Sequence, residues 1–174
     1  MNYEANIVMV DYGPLTESRL PLFLSPASFF VLLMGHSNTR VVATRVEEFL
    51  VFLMTYRMLP GPENVHIIGF SLGSHIAGNV GRRIYHSTER KIKRITGLDP
   101  SPQTKTQHRL SPGDANFVDV TLTSLGYLTK VHAEGHAQFF MNGGGPHQPN
   151  CPYFAPVTGK FAWFFSLTMK HMHF

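Results

Sequence analysis

Cysteine is almost missing from this chain. Cys151 stands alone among 174 residues, so no disulfide can close within the sequence. It is a buried thiol or one half of a bridge whose partner lies outside the chain. Long apolar runs are also missing. The longest, Leu20 to Met34, is interrupted by Pro21, Ser25, Pro26 and Ser28, and spanning a bilayer takes about 20 apolar residues. The stretch Phe161 to Phe165 is shorter still, so no transmembrane segment is expected. The start, Met1-Asn2-Tyr3-Glu4, has neither a basic region nor an apolar one and does not read as a secretory signal. The formal charge of +4 is spread along the chain and not gathered into Lys/Arg clusters. That excludes a nucleic-acid footprint, while a mild positive charge can assist contact with anionic lipid surfaces. There is no internal repeat and no low-complexity segment.

What is present is an ordinary globular balance, 43% apolar and 15% charged, long enough for one domain with a core. Asn6 to Val10 reads as a short buried strand closed by the turn Asp11-Tyr12-Gly13-Pro14. Residues 15–37 have no period and read as a long connection. After Asn38-Thr39, the residues Val42, Val46, Phe49, Leu50 and Leu53 recur at helical spacing up to Pro60. Val65 to Phe70 is a second strand. Leu72 to about Tyr85 is a helix with Ile76, Val80 and Ile84 on one face. Ile92 to Leu98 and Phe117 to Leu122 are further strands, and Ala137 to Met141 is a fifth. Strands alternating with helices predict an α/β class, with a mostly parallel sheet and crossover helices.

The second strand runs into Gly69-Phe70-Ser71-Leu72-Gly73 and then directly into a helix. Gly-x-Ser-x-Gly alone is common by chance, but the strand-turn-helix context is that of the nucleophile elbow of α/β-hydrolases. Such a turn strains the serine and packs its neighbours closely, which Gly69 and Gly73 suit. The serine then precedes a helix N-terminus, where the N–H of Leu72 can stabilise an oxyanion. The bland alternative is a tight turn with an incidental serine. Asp99 ends the next strand, at the edge where such a sheet places its site, and it follows Ser71 in the order the triad requires. A buried Asp there would orient an imidazole. Its bland alternative is a plain turn residue. Asp114, in a loop, and Asp119, inside a strand, are poorer candidates.

Several segments together resemble the pancreatic-lipase-like family, which includes lipoprotein lipase and the phospholipases A1. They are Ser37-Asn38-Thr39-Arg40-Val41-Val42, the elbow from Val65 to His75, and Arg94-Ile95-Thr96-Gly97-Leu98-Asp99-Pro100. Also similar are Arg109-Leu110-Ser111-Pro112-Gly113-Asp114-Ala115-Asn116-Phe117-Val118-Asp119-Val120, then Gly135-His136 and Asn142-Gly143-Gly144. The resemblance covers roughly residues 4–152, and the pattern leans towards insect-type members. It implies an α/β-hydrolase fold, secretion to the extracellular space, and hydrolysis of glycerolipid acyl esters at a lipid interface. The implied substrate is triacylglycerol or phospholipid. Ser71 would be the nucleophile and Asp99 the triad acid, with no cofactor required. Relatives with the Arg-Leu-Ser-Pro-x-Asp pattern can bind calcium in that loop. Here Thr106 and Arg109 would offer carbonyls, and Ser111 and Asp114 oxygens, against the six or more that calcium prefers.

Two parts of the family pattern are not found. The family's His-Gly-aromatic strand end, which supplies a second oxyanion N–H, lies upstream of the segment matching Asn6 to Asp11. Its triad histidine follows a cysteine that pairs with the one matching Cys151, and no Cys-x-His occurs after Cys151. The fold is therefore expected to be incomplete at both ends, with residues 1–151 a partial lipase domain and 152–174 a divergent apolar tail. His75, His136, His66 and His132 read as packing or surface groups. His171 and His173 are the candidates left for the base. The second function class is a non-catalytic lipid-binding or yolk-type storage protein on the same fold, against which the intact serine elbow argues.

Overall fold

The computed structural model describes residues 5–12, 39–102, 108–125, 135–146 and 148–149. Helix α1 is Thr39–Thr55. Strand β1, His66–Phe70, leads through Ser71 into helix α2, Leu72–Thr88. Strands β2, Arg94–Leu98, β3, Phe117–Leu122, and β4, Ala137–Phe140, follow. The four strands form one sheet in chain order, β1-β2-β3-β4, and every pair is parallel. Parallel neighbours need a crossover, and α2 supplies it between β1 and β2. This is the architecture of an α/β-hydrolase sheet, present in part. Among the described residues no helix is long and apolar enough to cross a membrane.

The core is built where two periodicities meet. Along α2, Ile76, Ala77, Val80 and Ile84 recur every three or four residues and are buried, which makes one continuous apolar stripe. That stripe packs on β1 and β2. Ile95, Val118, Val120 and Leu122 of the sheet are fully covered. The face packed against α2 is apolar, while the other carries Arg94, Thr96 and Asp119 and leaves Ile68 and Phe117 exposed. Helix α1 packs against α2 through Val42, Ala43, Val46 and Leu50. Phe49, expected on that face, points outward and is 41% exposed. It lies one residue, roughly 100°, off the stripe through positions 42, 46 and 50.

Three other expectations are corrected. Asn6 to Val10 is not a strand. It is irregular and exposed, with Ile7 and Met9 each 91% accessible. An apolar run becomes a strand only when another strand satisfies its backbone groups, and none of the described strands pairs with it. The strand expected from Ile92 begins at Arg94, although Ile92 itself is buried. Helix α2 runs three residues beyond Tyr85 and ends where Glu89 adopts φ 57, a left-handed cap.

A polar ladder crosses the sheet near the start of its strands. The His66 ring nitrogen Nε2 lies 2.8 Å from Thr96 Oγ1, and Thr96 Oγ1 donates to Asp119 Oδ1 at 2.9 Å. The Arg94 guanidinium grips the same carboxylate with two bonds, 2.7 and 3.0 Å. Burial opposes ionisation of Asp119, but the bonds from Arg94 and Thr96 outweigh it and hold the carboxyl below its ordinary range. A depressed carboxyl contributes stability above its unfolded value of about 3.9, and that contribution is lost as pH falls through the lower folded value. Asp119→Asn is therefore expected to lower the urea midpoint at pH 7. The gap between variant and parent should narrow near pH 3. A gap of equal size at both pH values would show that the ladder contributes nothing through charge.

Candidate active site

Phe70 and Leu98 are register partners at the ends of β1 and β2. The next residues along the two strands are Ser71 and Asp99. The sheet thus places Ser71 and Asp99, the candidate nucleophile and acid, side by side at its C-terminal edge. The Ser71 N–H donates to the Leu98 carbonyl at 2.8 Å, which ties the two turns together. Both residues leave their strands in left-handed backbone conformations, φ 52 at Ser71 and φ 41 at Asp99. Non-glycine residues in such sparsely populated regions cost of order 1–3 kcal/mol and persist where the surroundings over-determine them.

At Ser71 the surroundings are the elbow itself. Its ψ of −117 turns the chain abruptly into α2. Ser71 occupies the N-cap position but makes no side-chain cap bond, so its hydroxyl is not used to stabilise the helix. The turn brings β1 onto the first residues of α2. A Cβ on Gly69 would meet the Gly73 carbonyl oxygen at 2.3 Å and the Ser74 nitrogen at 2.7 Å. Gly73 differs from expectation: a Cβ there would meet only the Tyr12 hydroxyl, at an ordinary 3.5 Å. The serine is followed by Leu72 at the first helical position, where backbone N–H groups lack helical partners and the helix dipole favours negative charge.

Asp99 is held by the end of β3. Its N–H donates to the Thr121 carbonyl at 2.8 Å. Its Oδ1 accepts the N–H groups of Thr123, at 2.7 Å, and Ser124, at 3.2 Å. The Thr123 hydroxyl donates to Oδ2. Bonds of this kind fix the direction of the carboxylate. Thr123 and Ser124 escaped the reading of the sequence. The available signal was a pair of polar residues directly after an apolar strand.

The histidines can be placed one by one. His75 is buried on α2; its Nε2 lies 2.7 Å from the Ser101 carbonyl oxygen, and its Nδ1 accepts the Leu110 N–H at 3.1 Å. His136 accepts the Val118 N–H and stacks on Phe117. His66 belongs to the polar ladder. His108 lies beside Arg82 and Asp114. His86 is exposed in the last turn of α2, the end opposite Ser71. His36, His132, His147, His171, His173 and Cys151 lie outside the described residues.

Of the four residues considered for calcium, Ser111 and Asp114 come together in another way, and Arg109 is exposed. Asp114 is 3% exposed, and its carboxylate accepts Arg82 Nη2 at 3.0 Å, the Ser111 N–H at 2.9 Å and the Ser111 hydroxyl at 3.1 Å. Burial pushes its carboxyl up, while Arg82 pulls the other way. Ser111 and Asp114 form a capping box on a short 3-10 turn, so their oxygens already have partners. Among the described residues, no group of three or more His, Cys, Asp or Glu side chains could hold a metal ion. Thr106 lies outside the described residues. Among the described residues, the Asp114 carboxylate forms an ion pair with Arg82.

The sequence has its counterpart in known proteins. The family model described as Lipase matches residues 29–159. The chain belongs to the lipase family. Mouse pancreatic lipase-related protein 2 is 44% identical over 127 residues, covering 66% of this chain and 24% of that protein. Pancreatic triacylglycerol lipase of Myocastor coypus is 44% identical over 125 residues, covering 66% of this chain and 26% of that protein. Mouse lipase member H is 36% identical over 153 residues, covering 86% of this chain and 30% of that protein. The chain thus matches between about a quarter and a third of the length of these relatives.

The elbow makes a sharp pair of expectations. Gly69→Ala forces backbone into backbone and should destabilise by about 1–3 kcal/mol or more. Gly73→Ala adds an ordinary contact and should change stability far less. Thermal melts of the two variants decide this, and equal losses would show that the close approach lies elsewhere.

Proposed function

We propose that this chain carries the nucleophile and the acid of a carboxylic ester hydrolase acting on glycerolipids, triacylglycerol or phospholipid, at a lipid interface outside the cell. The single observation that supports this most is the placement of Ser71 and Asp99 on adjacent strand ends, both in strained conformations. A lipid-binding protein has no use for a strained serine whose hydroxyl is left out of the helix cap.

In this reading Ser71 Oγ attacks the acyl carbonyl and a histidine takes its proton. The Asp99 carboxylate orients that imidazole and stabilises its charged form. The oxygen that becomes negative sits against the Leu72 N–H at the start of α2. Collapse expels the glycerol alcohol, which recovers the proton, and water then releases the acid from Ser71. Acyl transfer of this kind needs no cofactor. The base is a histidine other than His66, His75, His108 and His136, whose ring nitrogens face other groups.

Two measurements test the proposal. In the first, the aligned segment of mouse pancreatic lipase-related protein 2 is replaced by that of this chain. The chimera should hydrolyse a short-chain triacylglycerol. Ser71→Ala should abolish turnover, and Asp99→Asn should lower kcat by about 10⁴-fold. A folded chimera without Ser71-dependent turnover would overturn the assignment. In the second, the 174-residue chain alone is treated with a fluorophosphonate. Among the described residues no imidazole bonds Ser71, so it should behave as an ordinary alcohol and label slowly. Rapid labelling that disappears in Ser71→Ala would show that the chain carries its own base, with His171 and His173 the first candidates.

A further inference from the structure

We infer that His75 is a positioning residue that holds the nucleophile turn and the acid turn in register, by bonding the acid turn to helix α2 and to the loop at Leu110. The inference rests on the reading of Ser71 and Asp99 as nucleophile and acid. The chain of contacts begins at the nucleophile. The Ser71 carbonyl accepts the Ser101 N–H at 3.3 Å, and Ser101 lies two residues past Asp99. That bond is one of two by which the nucleophile and acid turns touch through backbone, the other being Ser71 N–H to Leu98. The peptide that donates it is fixed in turn from its other side. The Ser101 carbonyl lies 2.7 Å from His75 Nε2, and the Leu110 N–H donates to His75 Nδ1 at 3.1 Å.

These two contacts determine the proton's place. Nδ1 accepts from an N–H and so carries no hydrogen. Nε2 therefore carries it and donates to Ser101. Only the neutral Nε2–H tautomer satisfies both partners. A protonated ring would set an N–H against the Leu110 N–H. Burial is the main cause holding this imidazole below its ordinary protonation range, and the charge of Arg109 adds to it; the bond to the Ser101 carbonyl pulls the other way. His75 is 8% exposed and sits in the second turn of α2. The helix whose first N–H faces the oxyanion thereby also carries the side chain that fixes the acid turn. No other side chain on the described part of α2 bonds both to the acid turn and to the Leu110 loop. An apolar replacement would remove both bonds at once.

The test uses the full chain and measures no turnover, so its failure is distinct from failure of the hydrolase reading, which the chimera assay registers. Imidazole ¹⁵N shifts should show a neutral Nε2–H tautomer for His75. Amide exchange is then followed in three variants. His75→Phe removes both bonds and should speed exchange by about tenfold or more at Leu110, whose N–H loses its acceptor, and at Ser101, whose N–H bond to the Ser71 carbonyl loosens once its own carbonyl is released. Ile95 and Val118 in the strands should be unchanged. His75→Gln keeps a donor at the Nε2 position, so Ser101 protection should return while Leu110 stays fast. His75→Asn keeps an acceptor at the Nδ1 position and should give the reverse. If His75→Phe does not fold, the Gln and Asn pair carries the test. An Nδ1–H tautomer, protection lost evenly through the sheet, or no contrast between Gln and Asn would each overturn the inference.

Discussion

The parallel pairing of β1 with β2 is the constraint on which this site depends. A register shift of one residue would move Ser71 away from Asp99 and would also turn every β1 side chain to the opposite face of the sheet. The register is fixed from both directions. On the buried side, Ile95 and the stripe of α2 permit one alignment of core residues. At the strand ends, the Ser71 N–H reaches the Leu98 carbonyl and extends the ladder one step into the turns. The strain at Ser71 and Asp99 is tolerable because this framework holds them. Packing energy from the core is in this sense converted into the placement of two polar groups at its rim.

Glycine at position 69 and the close packing it allows connect the strand to the helix at the one place where both must turn. The Ser74 hydroxyl donates to the Gly69 carbonyl at 2.7 Å, so the first turn of α2 is tied back to the strand that delivered it. At its middle, α2 lies so close to the Asp114 loop that a Cβ on Gly81 would meet the Asp114 carbonyl oxygen at 2.2 Å. The Arg82–Asp114 pair sits beside this contact. One helix therefore organises the nucleophile at its start, the acid turn through His75, and the loop after the acid at its midpoint.

The sequence made the strand-helix-strand order readable because each element announces itself locally. Val65 to Phe70 and Phe117 to Leu122 are apolar and β-branched, and Ile76, Val80 and Ile84 have helical spacing. Ser71 and Asp99 were legible for the same reason, as each terminates a strand with turn chemistry. The hidden parts act across the chain. Asn6 to Val10 has the composition of a strand, but pairing is a tertiary property and the segment is exposed. Asp114 resembled a cation ligand in the loop sequence, while its partner Arg82 is contributed by α2, in a different segment of the chain. The backbone bonds that hold Asp99 come from Thr123 and Ser124 beyond a different strand. His75 reads as a packing residue, but its two partners at Ser101 and Leu110 could not be foreseen from its place on the helix.

The residues proposed as nucleophile and acid, Ser71 and Asp99, belong to one β-α-β unit, with a single crossover helix between them. Contacts closed over such a short span carry a modest loop entropy and form early compared with pairings between distant segments. In the proposed mechanism the base lies outside this unit and reaches it from elsewhere. Assembly of the reactive serine is thus divided in time as well as in space. While the polypeptide is still acquiring its shape, the elbow and its carboxylate can stand complete and chemically quiet, and reactivity arrives only with the last long-range closure.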